Sequence, residues 1–287
     1  MPKGGGGGGG GRGGGRPRIN PAYAVNLTHY WPLQDGGGLA DTMPYANTIR
    51  NYGQPRFKGD PQNLVAADTV VAAAKRKACL AIKFSATGAA EESIVMNDAA
   101  TTNENVGKNF TLSAWVRAGD YSAGRVIISK VESGTPYNFV LQSDVTTGFL
   151  LLWFSVAGVS KTATGTTAIP TTGSLAHVAG SYDGATMKVY FNGKLEGSTA
   201  ETGTPETTTN PIRIGRWVTD NFAWNGLIAH VAMFNRALPA GEVLRLATDV
   251  DALVTEPPTE PETPSAPPGA PGKLITPGGI SIPASLS

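Results

Sequence analysis

Cysteine is almost missing: Cys79 stands alone in 287 residues, which excludes an intrachain disulfide and any cysteine-based metal cluster within one chain. Set between Ala78 and Leu80-Ala81-Ile82, it reads as a buried structural thiol with nothing beside it to activate it. Histidine is scarce too, and His29, His177 and His230 show neither His-x-His nor His-Glu-x-x-His spacing, so each reads as structural rather than as a metal ligand. An excess of charge of one sign is also lacking: the formal net charge is +1, so bulk electrostatics favours neither nucleic acid nor a membrane surface. No apolar run approaches a membrane span, and the longest strongly apolar one, Phe149 to Val156, suits a strand packed between two layers. Met1-Pro2-Lys3 runs into glycines instead of an apolar stretch, so no secretory signal peptide is expected. An outward-facing protein would then need another route, such as a dedicated secretion system or release on a particle when a host cell lyses. Helical spacing is confined to Pro239 to Thr248, where Pro239 sits in the first turn and Val243, Leu244, Leu246 and Ala247 supply an apolar stripe.

Glycine and proline are concentrated at the two ends. Gly4 to Gly11 is unbroken, and the segment carries Lys3, Arg12, Arg16 and Arg18 with no acidic counterpart, which makes residues 1–22 a flexible basic arm. It satisfies a phosphate-loop pattern on paper, but no strand precedes it and no helix follows. From Thr255 to Pro271 proline and glutamate dominate, an extended linker that resists packing, and Leu274-Ile275 and Ile280 with Ile282 then give short apolar patches suited to docking. Residues 255–287 thus read as a linker and docking tail.

Between the arms, residues 23–254 alternate in short runs. Ser174 to Ser198 holds three such runs broken at Asp183-Gly184 and Asn192-Gly193, dipeptides that supply the positive φ of tight hairpin turns, and so predicts a three-stranded meander. Met187, Val189 and Phe191 point to one face of its middle strand. Phe110, Leu112, Ala114 and Val116 likewise share one face of another strand, with Trp115 among hydroxyls on the other. Thr162 to Thr172 reads as a loop, and Asn63 to Ala74 as either a strand or a short helix. The sum is an all-β, two-sheet antiparallel jelly-roll sandwich with one short C-terminal helix.

Several segments in order resemble laminin G-like domains of the bacterial and phage type in the concanavalin A-like lectin/glucanase superfamily. They are Tyr30 to Leu33 with Leu39-Ala40-Asp41, Phe110 to Arg117, His177 to Gly184, Lys188 to Gly193, Ile212 to Arg216, Asn225 to Ile228 and Phe234 to Leu238. The resemblance implies a jelly-roll domain that binds glycans or proteins through rim loops and is not an enzyme. It also implies calcium in some relatives, but Ala229-His230 and Phe84 to Ala89 stand where acidic residues are usual, so no metal ligand is assigned and no cofactor is expected.

Catalysis by glycoside hydrolysis needs two carboxylates about 5–9 Å apart on one substrate-facing surface. No strand carries an alternating acidic set: Glu91 and Glu92 are adjacent, and Glu201 and Glu206 lie in a Thr/Gly/Pro loop. The candidate ligand-binding loop is Arg216 to Trp224, where Trp217 and Trp224 offer flat faces to a sugar and Arg216, Asp220 and Asn221 offer planar polar groups. The alternative is that both tryptophans fold back onto the sandwich edge; Trp31, Trp115 and Trp153 are assigned to the core. The expected function is a structural or display protein in multiple copies on the exterior of a phage or virus particle. Its assembly residues are Arg12, Arg16, Arg18, Leu274, Ile275, Ile280 and Ile282. A free glycan-binding lectin-like module is the alternative, and nucleic-acid or anionic-surface contact through the Arg/Gly arm is a second one.

Overall fold

A computed structural model describes residues 18–24, 26–31, 56–58, 64–67, 79–84, 93–96, 105–121, 125–134, 136–217, 222–249 and 252–255. Side chains are described for all of these except 18, 19, 21, 24, 56–58, 64–67, 79–83, 93–96, 254 and 255. The chain enters through β1 (Arg18–Ile19), a single helical turn α1 (Pro21–Ala24) and β2 (Leu27–Trp31). Four short strands follow: β3 (Arg56–Lys58), β4 (Leu64–Ala67), β5 (Cys79–Phe84) and β6 (Ser93–Met96). The longer strands are β7 (Asn109–Ala118), β8 (Arg125–Val131), β9 (Tyr137–Ser143), β10 (Phe149–Val156) and β11 (Val159–Ala168). The meander comes next as β12 (Ala176–Asp183), β13 (Thr186–Phe191) and β14 (Lys194–Ala200). Then come β15 (Ile212–Ile214), β16 (Gly226–Phe234), helix α2 (Ala240–Thr248) and β17 (Val254–Thr255).

These strands form two antiparallel sheets. One has seven strands in the order β11-β10-β9-β8-β15-β6-β3; the other has eight, ordered β14-β13-β12-β7-β16-β5-β4 with β2 also on β16. The alternation read from the sequence fixes their inner faces: Phe110, Leu112, Ala114 and Val116 from β7 and Met187 and Val189 from β13 all lie in the main core. From the other sheet Ile128, Phe139, Leu141, Leu150, Leu152, Phe154, Ile212 and Ile214 meet them. The meander turns as expected, with Asn192 and Gly193 at φ 47 and 80. Asp183 caps the other turn by accepting from the Ala185 and Thr186 amides at 3.0 and 2.7 Å.

The outer face of the eight-stranded sheet is not wet. Ala179, Tyr190, Ala232 and Phe234 on that face pack under Tyr23, Leu238, Val243, Leu246, Ala252 and Leu253, so α2 and the segments around Tyr23 and Ala252-Leu253 roof it. The Thr111 hydroxyl stitches the approach to the helix, donating to the Arg236 carbonyl and accepting from the Leu238 amide, each at 2.9 Å. Trp115 and His177, opposite each other on β7 and β12, are 2 % and 1 % exposed and meet edge to face at 5.5 Å. The roof ends in a two-residue ribbon: Arg18 pairs with Thr255 and Ile19 with Val254. Arg18 is therefore a strand residue where the sequence reading had counted it with the arm.

Three expectations are corrected. Thr162 to Ala168 belongs to β11, because the Ala157-Gly158 turn (φ 49 and 76) folds the chain back onto β10 and small or β-branched residues alternate there. The apolar run in β10 is next to the sheet edge rather than central, and Trp153 lies half-buried on the outer face instead of in the core. Trp115, assigned to the core, is buried among the hydroxyls of Thr111 and Ser113 beneath the covered face. Asn63 to Ala74, left open between strand and helix, contains β4.

One side of the sandwich is closed without a shared ladder. Glu196 on β14 accepts from the Thr166 and Thr167 amides of β11 at 3.1 and 2.8 Å, and the Thr199 hydroxyl donates to the Thr162 carbonyl at 2.9 Å. Burial raises the Glu196 pKa, but the bonds from Thr167 and Thr166 outweigh it and hold the carboxyl below its ordinary value. At this seam a Cβ on Gly197 would stand 1.9 Å from the Thr164 carbonyl oxygen. Gly197→Ala therefore costs about 1–3 kcal/mol by forcing the seam apart. Gly241→Ala, in α2 with nothing within 4 Å, gains up to about 1 kcal/mol. Thermal melts of the two variants against the parent check both.

His177 supplies a pH dependence. Burial, and secondarily the charge of His230, lowers its pKa from 6.5 to about 3, and neither ring nitrogen has a hydrogen-bond partner. The unfolded chain then binds the extra proton between those values, so this contribution to stability is complete above pH 6.5 and is lost as pH falls towards 3. Urea unfolding at neutral pH and in mild acid should show a smaller loss of stability for His177→Phe than for the parent.

Candidate functional site

The outer face of the seven-stranded sheet is the one large face without a helical roof among the described residues. Strand registers set a continuous row across it: Arg213 is opposite Ser129, Ser129 opposite Val140, Val140 opposite Trp153, and Trp153 opposite Thr162. Residues directly opposite one another share a face, and their neighbours Ile128, Ile214, Leu141, Leu152 and Ala163 fill the core on the other side. Val126, Val131 and Val140 form a buried apolar floor on this outer face, with half-buried Tyr137, Trp153 and Trp217 packed against it. Trp217 meets the Tyr137 ring at 5.2 Å and the Phe222 ring at 5.9 Å, both edge to face. Phe222 is 38 % exposed.

Trp217 reaches this face because of what precedes it. Gly215, at φ +83, ends β15 where a Cβ would lie 2.7 Å from the Phe84 ring, so glycine is required by both backbone and space. The chain turns there. Trp217 lands on the outer face, while the Trp224 amide donates to the Gly215 carbonyl at 2.7 Å and carries the second indole back between the sheets.

The loop anticipated as one unit is thus divided. Trp224 is fully buried in the main core and presents no face to a ligand, since closing the gap beneath the loop removes the whole indole from water. Arg216 is 3 % exposed, and its carbonyl accepts from the Ser129 hydroxyl at 2.9 Å. Only Trp217 of the described candidates is partly open. Asp220 and Asn221 lie outside the described residues, as do Arg12, Arg16, Leu274, Ile275, Ile280 and Ile282, and Glu91 with Glu92. Tyr137, Trp153 and Phe222 join Trp217 from separate segments, and only the strand register reveals that Tyr137 and Trp153 share its floor.

Polar groups line one end of the aromatic face. The Glu132 carboxylate accepts from the Thr208 hydroxyl and, at 2.7 Å, from the Asn210 side-chain amide. Behind them Lys130, fully buried and opposite the core residue Phe139, donates to the Asn210 carbonyl at 2.5 Å. Burial, then the like charge of Arg216, lowers the pKa of Arg213, with Glu132 opposing. Half-exposed aromatic rings beside a guanidinium and a carboxylate offer a sugar both its C–H contacts and its hydroxyl partners. At the neighbouring rim the Asp120 carboxylate is taken by Arg125 at 2.5 Å and by the Asn225 amide at 2.6 Å. Among the described residues no group of three or more His, Cys, Asp and Glu could hold a metal; the donor set there does not fit the calcium of some relatives.

Two face-packed antiparallel sheets, one outer face roofed by a helix and the other carrying half-open aromatics, define a lectin-like β-sandwich. Residues 93–244 match the laminin G-type family described as the concanavalin A-like lectin/glucanases superfamily, and the chain belongs to it. No curated protein matches the chain in sequence. Among solved structures, domain 4 of AbnA, a GH43 extracellular arabinanase from Geobacillus stearothermophilus in complex with arabinotriose, is similar with TM-score 0.57 and 19 % identity. That match covers 77 % of this chain and 98 % of that one. A botulinum neurotoxin type C structure described by its interaction with two ganglioside molecules is similar with TM-score 0.54 and 14 % identity over 79 % of this chain and 51 % of that one. The binding domain of botulinum neurotoxin DC in complex with rat synaptotagmin II gives TM-score 0.53 and 15 % identity over 78 % and 51 %. This chain therefore spans about half of the toxin structures, and at these identities the likeness shows the fold alone.

Proposed function

We propose that this protein is a non-catalytic glycan-binding sandwich whose binding face is the Trp217, Tyr137, Phe222 and Trp153 surface. The observation that carries the reading is the contrast between the two outer faces. One is covered by α2, Tyr23, Ala252 and Leu253, while the other keeps its aromatic rings half-open over an apolar floor. Leaving such rings to water is unfavourable unless a ligand covers them. The similar arabinanase domain is seen with arabinotriose, which supports a neutral oligosaccharide as the first class to examine. Catalysis is disfavoured because each described glutamate already holds protein partners: Glu132 has Thr208 and Asn210, Glu196 the Thr166 and Thr167 amides, Glu201 Lys161 and the Gly203 amide, Glu206 the Gly158 amide through one oxygen, and Glu242 Arg236.

A display role in multiple copies on the exterior of a larger protein assembly, a phage or virus particle, extends this reading. The Arg18 to Thr255 pairing makes residues 1–17 and 256–287 leave from one point. The adjoining residues Tyr23, Ala252 and Leu253 pack on the sheet opposite to the aromatic face. Tethering through both arms then leaves that face free, and Arg12, Arg16, Arg18, Leu274, Ile275, Ile280 and Ile282 supply the contacts.

A glycan array that includes arabino- and sialo-oligosaccharides tests the first reading. Trp217→Ala and Tyr137→Ala should each weaken the strongest response at least about tenfold, as loss of an aromatic anchor does, with the melting temperature retained. Binding that survives both substitutions, or no glycan bound at all, would reject it. Density-gradient sedimentation of native source material, with blotting for the chain, tests the second. Migration with a large particle that is lost when both arms are trimmed is expected, and migration as a small free protein would reject display.

A further inference from the structure

Trp217 meets Phe222 edge to face at 5.9 Å. Its aromatic neighbour Phe222 stands at φ +67, a conformation that a bulky L-residue keeps only where its surroundings impose it. Those surroundings are two consecutive residues at the start of β8. The Val126 amide donates to the Phe222 carbonyl at 3.0 Å, and Arg125 Nη1 donates to the next carbonyl, that of Ala223, at 2.6 Å. The other guanidinium arm, Nη2, donates to Asp120 Oδ1 at 2.5 Å. Asp120 Oδ2 in turn accepts from Asn225 Nδ2 at 2.6 Å, and the Gly119 amide donates to the Asn225 carbonyl at 2.6 Å. One cation thus joins residues 119–120, the start of β8 and residues 223–225. The Arg125 side chain is 7 % exposed and Asp120 is 40 % exposed, so the forked bonds form where water competes little on the arginine side.

We infer that Arg125 is the positioning residue of the aromatic face: its guanidinium fixes the Phe222-Ala223 backbone, and through the Phe222 ring keeps Trp217 seated over Val126, Val131 and Val140. Arginine suits the task because its planar fork reaches a carbonyl and a carboxylate at once, where the ammonium of lysine is a point donor. The consequence for ligand binding rests on the glycan-face reading above; the seating itself does not.

Acrylamide quenching of tryptophan fluorescence reads the seating directly. Trp31, Trp115 and Trp224 are 2 %, 2 % and 0 % exposed, so in a Trp153→Phe background the quenchable emission belongs to Trp217. Arg125→Lys and the milder Asp120→Asn, which keeps the side chain's size, should each raise the quenching constant towards that of free tryptophan. Chelation with EDTA should leave the unaltered chain unchanged. On the array, glycan response should fall at least about tenfold in both variants, the scale of one lost charge-assisted hydrogen bond. Quenching that stays at the parent value in a folded Asp120→Asn chain, or that rises on chelation alone, would overturn the positioning role. Failure of the glycan reading looks different: Trp217 becomes more quenchable in the variants, yet neither the parent nor Trp217→Ala discriminates among glycans.

Discussion

Three rings hold the two sheets in register. Phe110 and Tyr182, opposite each other on β7 and β12, meet Phe154 of β10 at centroid distances of 6.1 and 4.8 Å, and each other at 6.1 Å. Aromatic pairs at such separations favour tilted or edge-on arrangements over face-to-face ones, which restricts how one sheet can slide over the other. The Tyr182 hydroxyl then donates to the Gly203 carbonyl at 2.6 Å, so the chain running from β14 to β15 is tied to the same cluster. Everything outside the sandwich is placed by this contact, because the side-chain period of a strand turns a fixed inner face into a fixed outer one.

The two outer faces that result have been put to different uses by the residues that follow them. After β16 the chain makes one amphipathic helix, and its buried Val243 and Leu246 cover Ala179, Tyr190 and Ala232. The Arg236 to Glu242 ion pair at 2.5 Å braces that helix against its own approach. Being partly exposed, it adds little to stability and more to placement. Between β15 and β16 no helix is present among the described residues. The positive φ of Gly215 throws Trp217 onto an apolar floor of three valines that it shares with Tyr137 and Trp153.

Much of this was legible in the sequence wherever period and turn chemistry agree. The Asn192-Gly193 hairpin, the alternation in β7 and β13 and helix α2 all follow from local rules, and the order of segments carries the family. What was not legible depends on partners distant in the chain. The pairing of Thr162 to Ala168 needs β10 beside it before a threonine-rich run reads as a strand. The separate fates of Trp217 and Trp224, seven residues apart by number, are decided by the Phe84 ring beneath Gly215 and by the Gly215 to Trp224 backbone bond, neither of which leaves a local signature. Tyr137 and Trp153 could have been joined to Trp217 only by knowing that β9 and β10 neighbour each other and which of their faces looks outward.

Burial separates the aromatic residues by what they can do. Trp224 and Trp31 have given their whole surface to the core, and removing either would leave a cavity. Trp217 and Trp153 have given part, enough to be oriented by Val126, Val131 and Val140 but not enough to be lost to a ligand. A ring wholly exposed would pay the full ordering entropy on binding, and a ring wholly buried would have nothing to bind with. Half-burial on a rigid strand floor, with the backbone beside Phe222 locked by Arg125 and Val126, is the compromise that leaves the aromatic face both stable and available.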